Sequence, residues 1–118
     1  IIRSDGTFIR DYVYVKDIVN FYLILAEAME NDEIHGHAFN YSAELQLNPL
    51  QITEQILKIA GKTHLEPVIL NEAKGEIPHQ YLSNSKAKEV LGWSPSYTLE
   101  QALTETVEWY KQYFQQQG

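Results

Sequence analysis

Hydrophobic and polar positions follow two different periods along this chain. From Phe8 to Val15 the period is two, so that Phe8, Arg10, Tyr12 and Tyr14 share one face and Ile9, Asp11, Val13 and Val15 the other. This is the pattern of a short extended segment. From Lys16 to about Glu30 the period becomes helical, with Ile18, Phe21, Tyr22, Leu25, Ala28 and Met29 in one apolar stripe. Asp17 falls in the first turn, where a carboxylate suits the positive end of the helix dipole, and it reads as a helix-start residue rather than a catalytic one. Upstream, Ile1–Arg3 reads as the end of a strand and Ser4–Thr7 as a hairpin-like turn, because Asp-Gly supports positive φ.

After the polar stop at Asn31–Glu33, the stretch 35–42 contains a strand centred on Ala38–Tyr41. A second helix is expected with Asn48 as N-cap, Pro49 at its first position and Leu50, Ile52, Ile56, Leu57, Ile59 and Ala60 on its apolar face; Gly61 stops it. Leu65–Leu70 is extended, and Pro67 favours an edge position. A polar loop spans Asn71–Pro78, followed by a short strand, His79–Leu82. Ser83 then caps a helix over Asn84–Leu91 that ends at Gly92. Trp93 reads as a core residue. Thr98 and Gln101 form a capping box for a last helix from Leu99 to about Phe114, whose buried side holds Leu99, Ala102, Leu103, Thr106, Trp109, Tyr110 and Tyr113. The tail 115–118 frays.

Composition narrows the function classes. The 118 residues suit one domain or a piece of one. A net charge of −7 argues against a sequence-independent nucleic-acid binder, which needs a basic face. There is no cysteine, which removes disulfides and thiol chemistry and fits a reducing compartment, and we expect a cytoplasmic location. No apolar run approaches the ~20 residues of a membrane helix. His35 and His37 sit two apart without a further ligand at metal spacing, so they read as exposed loop histidines. The opening on Ile1-Ile2 reads as that of an excised fragment.

Arg10 carries the candidate chemistry. Its guanidinium, delivered by an extended segment just before a helix, suits a phosphate or a carboxylate; a bare Arg-Asp pair would be a surface ion pair. The whole run Ser4-Asp5-Gly6-Thr7-Phe8-Ile9-Arg10-Asp11-Tyr12-Val13-Tyr14-Val15-Lys16-Asp17 resembles the signature of the extended short-chain dehydrogenase/reductase family, the NAD-dependent sugar-nucleotide epimerases and dehydratases, and looks most like its CDP-glucose 4,6-dehydratase branch. Ser83-Asn84-Ser85-Lys86-Ala87 is similar to the family's Asp-x-Ser-Lys-Ala element, and Leu91-Gly92-Trp93-Ser94-Pro95 is typical of it. The likeness covers nearly the whole chain but only about the C-terminal third of a family member.

The resemblance implies an α/β fragment of about four helices and short strands, the substrate-binding part of a Rossmann-type enzyme whose nucleotide-binding core is missing. Residues 1–47 would pack on the missing sheet, whose edge the Ala38–Tyr41 strand completes, and 48–118 would form a small α/β substrate lobe. Cut from that sheet, the first helix should expose apolar surface. It further implies Arg10 as anchor of the sugar-nucleotide diphosphate, with Tyr12 and Tyr81 as contacts near the nucleotide. Tyr12 and Tyr14 remain open to a plain packing role. The loop arginine usual in the family is replaced at Ala73, and Lys74 either supplies a point charge there or is a solvated loop lysine. NAD would sit on the missing N-terminal domain and not on this fragment. The six glycines are too dispersed for a phosphate loop, and Tyr12 to Lys16 is not the catalytic Tyr-x-x-x-Lys pair, which lies within one helix. No catalytic or metal-binding residue is therefore expected here. The complete enzyme would oxidise CDP-glucose at C4, lose water across C5–C6 and return the hydride to C6, as a homodimer. The alternatives are another sugar-nucleotide epimerase or dehydratase, and a non-catalytic acidic interaction module.

Overall fold

A computed structural model describes residues 1–117; Gly118, the last residue of the expected tail, lies outside the described residues. Among the described residues three short strands each precede an α-helix and a fourth α-helix follows: β1 (Ile9–Asp11), α1 (Val15–Ala28), β2 (Gln46–Leu47), α2 (Pro49–Ile59), β3 (His79–Gln80), α3 (Ser85–Leu91) and α4 (Leu99–Gln115), with a 3-10 turn at Asp32–Ile34. The sheet order is β2-β1-β3. β1 pairs antiparallel with β2 (Arg10 opposite Leu47) and parallel with β3 (Arg10 opposite Gln80), so Arg10 stands in the middle strand. No described helix is long and apolar enough to cross a membrane.

Local chemistry sets most element ends. Asn48 and Gln51 exchange hydrogen bonds in a capping box, with Pro49 opening α2, and Thr98 and Gln101 do the same for α4. Gly92 closes α3 in the left-handed region. At the start of α3 the N-cap residue is Asn84, one later than expected, yet the Ser83 hydroxyl still accepts the Ser85 N–H at 3.3 Å. The core forms where α1 meets α3: Phe21, Ala87 and Trp93 are buried, and Trp93 meets Phe21 edge-on at 5.4 Å.

Four expectations change. The Ser4–Thr7 turn does not join a hairpin. Ile2 bridges in parallel to Ile69, whereas β1 pairs with β2 and β3, because the turn is seated on α2: Gly6, at φ +85°, lies against Leu50. The stretch 38–41 is in no strand among the described residues, since none of them offers it a ladder partner; Lys86 instead donates to the Ala38 carbonyl at 2.9 Å. Helix α1 is apolar nearly all round and buries the face of Asp17, Phe21, Ile24 and Leu25, so Tyr22 and Met29 of the expected stripe stay exposed, as do Val15, Val19 and Leu23. Finally, α4 meets α2 through Leu103, Thr106 and Val107, which line one cleft with Ile56 and Ala60. Trp109, Tyr110 and Tyr113 of its expected buried side are exposed instead and stack along their own helix, Trp109 on Tyr113 at 5.1 Å.

Candidate functional site

The alternation along β1 and its central place in the sheet aim Arg10 at the loop preceding β3. Its Nη1 donates to the Ile9 carbonyl at 2.8 Å and to the Ile77 carbonyl at 2.9 Å, and its Nη2 meets Glu76 Oε2 at 2.8 Å. The Arg10 side chain is 25% exposed and that of Glu76 46%. Two backbone carbonyls therefore fix the plane of the guanidinium, while its remaining charged contact faces solvent. The Phe8 ring lies 5.7 Å from the guanidinium carbon and backs it from below.

Beside Arg10 runs a groove of about 350 Å³, lined also by Asp11, Tyr41, Gln80, Tyr81 and Leu82. Tyr81 is half-exposed on its wall. A polar knot holds this wall in place. Asp11 Oδ2 accepts the Ser42 hydroxyl and, at 3.2 Å, the Leu82 N–H; Ser42 Oγ accepts the Glu44 N–H at 2.8 Å; Asn84 Nδ2 donates to the Ser42 carbonyl at 2.9 Å. The end of β1, the 42–44 segment and the start of α3 are thereby locked together, and Ser42 is almost fully buried at their junction.

Of the predicted site residues, the structure brings Arg10 and Tyr81 to one groove. Tyr12 points elsewhere, into an apolar cavity of about 250 Å³ between β1, α2 and α4 with Ile52, Tyr97 and Leu103. Burial pushes its phenol above the ordinary 10.0, with the Arg10 charge pulling the other way. Lys74 is exposed in the 71–78 loop and makes no ion pair among the described residues. Asp17 is buried and accepts the Ser96 N–H at 2.8 Å, tying the start of α1 to the approach to α4. The histidines at 35 and 37 are exposed, and His35 Nε2 lies 2.8 Å from the Met29 carbonyl.

Sequence reasoning missed Glu76 as the partner of Arg10, the Asp11–Ser42 knot, and a second cluster in which Glu105 Oε2 receives both the Tyr14 hydroxyl and the Lys16 ammonium at 2.6 Å. Each joins residues dozens of positions apart, and only the reading of Ala73 and Lys74 pointed at the right loop.

The residues present do not fit an NAD cradle. The described glycines 6, 36, 61, 75 and 92 sit in five separate turns, each at positive φ, and none lies in a glycine-rich strand-to-helix loop. Lys16 bonds to Glu105, and its ammonium lies near the rings of Tyr14 and Tyr97.

No family model matches the chain. Among solved structures it is similar to the UDP-glucose 4-epimerase of Thermotoga maritima in complex with UDP-glucose, at a TM-score of 0.83 and 36% identity over 96% of this chain and 35% of that one. It also resembles a dTDP-glucose 4,6-dehydratase of Bacillus anthracis in complex with NAD, with a TM-score of 0.75 and 27% identity over 94% of this chain and 34% of that one. Among curated relatives, the dTDP-glucose 4,6-dehydratase of Haemophilus influenzae is 31% identical over 92% of this chain and 34% of its own length. The chain spans about a third of the length of the relatives it matches. In sequence and in fold it matches the C-terminal part of the Rossmann-type sugar-nucleotide epimerases and dehydratases.

Proposed function

We propose that this chain is the substrate-binding portion of an NAD-dependent sugar-nucleotide 4,6-dehydratase, and that Arg10 anchors the diphosphate of the substrate. The observation carrying this reading is Arg10 itself, held by two carbonyls and open toward a groove, in a chain that folds like the C-terminal third of such enzymes. Tyr81 shares the groove. Lys74, in the loop of Glu76, is a further substrate contact in this reading, whereas Tyr12 lines the apolar cavity away from the groove and is left out of it. The run from Ser4 to Asp17 favours CDP-glucose as substrate. A UDP-sugar epimerase is the second reading, favoured by the likeness to the Thermotoga maritima enzyme. In either, the preceding part of the polypeptide holds NAD and supplies the catalytic tyrosine and lysine. Residues 1–47 pack on its sheet, residues from 48 onward form the substrate lobe, and the complete protein is a cytoplasmic homodimer.

Charge-assisted hydrogen bonds of this kind are worth roughly 1.5–3 kcal/mol. In the complete polypeptide carrying this chain, Arg10→Ala should therefore weaken binding of CDP-glucose or UDP-glucose by about 10- to 150-fold in calorimetric titration. The tighter of the two ligands decides between the readings, and equal affinity in wild type and variant would refute the anchor.

A further inference from the structure

Glu76 holds the one charged contact of the Arg10 guanidinium, on Nη2, while the backbone carbonyls take Nη1. The two carbonyls on Nη1 belong to Ile9, in β1, and Ile77, two residues before β3, and cannot leave without disturbing the sheet. Glu76 can leave. It uses a single oxygen, on Nη2, its side chain is half-exposed, and it follows Gly75, which sits at φ +75° in open space. Arg10 is the only cation that Glu76 pairs with among the described residues, and Lys74, two residues away in the same loop, is exposed and in no ion pair among them.

A diphosphate reaching the groove meets a guanidinium already neutralised. It carries more charge than a carboxylate and offers paired oxygens to the planar fork, so it outcompetes a one-point, half-exposed carboxylate contact. We propose that Glu76 is a resident counter-ion, displaced from Arg10 by the ligand's diphosphate, that holds affinity for nucleoside-diphosphate ligands below what Arg10 alone would give. This rests on the reading of Arg10 above. On displacement only the Glu76 side chain turns off Nη2; the loop stays in place, held by Ile77 on Arg10 and by the Glu72 and Ala73 N–H groups on the Arg3 carbonyl, so the carboxylate remains close enough to compete again and hasten release.

The test uses the complete polypeptide, with UDP-glucose and CDP-glucose as probes in calorimetry and stopped flow. Glu76→Gln keeps the side-chain shape and removes its charge. It should bind about two- to fivefold more tightly, with slower dissociation, which is the range of a half-exposed pair. Glu72→Gln removes the same charge from the same loop without touching Arg10 and should bind as wild type. In an Arg10→Ala background the gain from Glu76→Gln should vanish. Unchanged or weaker binding by Glu76→Gln, or an equal gain from Glu72→Gln, would overturn the counter-ion role while leaving the anchor intact. Wild-type affinity in Arg10→Ala alone would instead remove the anchor and the counter-ion with it.

Discussion

Gly6 shows how much one residue decides about where Arg10 stands. Its φ of +85° disfavours any side chain, and a Cβ there would lie 2.7 Å from Leu50 Cγ. The turn seats on α2 only because nothing projects from it, and β1 follows three residues later. Gly6→Ala should lower stability by about 1–3 kcal/mol, from left-handed strain plus overpacking. Urea unfolding checks this, and a change below about 0.5 kcal/mol, the usual range for a surface site, would mean the turn simply shifts. Asp-Gly announces positive φ in the sequence, but the neighbour it leans on is Leu50, which no local pattern names. Arg10 is similar: its residue type predicted an anion, and its partner Glu76 became visible only once β3 was laid beside β1.

Among the elements, α1 and α4 are tied at their near ends by Glu105, which receives Tyr14 and Lys16. The Lys16 hydrogen bond, then that of Tyr14, holds the Glu105 carboxyl below its ordinary 4.5. A carboxyl lowered on folding contributes stability that is complete above 4.5 and lost as pH falls through the lower folded value. The same contact raises Lys16 above 10.5 and Tyr14 above 10.0, so the tie is whole between about pH 4.5 and 10. Melting temperatures of wild type and Glu105→Gln should accordingly differ at pH 7 and converge in acid; a gap that persists unchanged at pH 3 would contradict the tie. Helix limits were largely legible beforehand because caps are local: Asn48 with Gln51, Thr98 with Gln101, and Gly92 announce themselves within a few residues. Strand pairing was not legible. β2 and β3 have two residues each, too few for an alternating pattern, and their register comes from contacts dozens of residues apart.

At the scale of the whole molecule the chain is more open than its length requires. Its radius of gyration is 17.3 Å, against about 13–14 Å for a compact domain of 118 residues. Its accessible surface is 8547 Å², against roughly 6,600 Å² for a folded monomer of this size. The difference is as large as a stable interface. The outward face of α1, with Val15, Val19, Tyr22 and Leu23, is the part we assign to the sheet of the preceding domain. Replacing Val19 and Leu23 together by serine should cost the complete polypeptide about 2–4 kcal/mol of stability by denaturant unfolding; a cost under about 0.5 kcal/mol would place that face in water. The apolar face was readable from the sequence, but which side of the helix stays exposed was not, because that depends on where α3 and Trp93 pack against Phe21. The most direct test of the account is a crystal structure of the complete polypeptide with its sugar nucleotide bound. It predicts Arg10 guanidinium nitrogens about 2.7–2.9 Å from diphosphate oxygens, with Glu76 moved off. A bound ligand whose diphosphate lies elsewhere, with Arg10 still on Glu76, would contradict it.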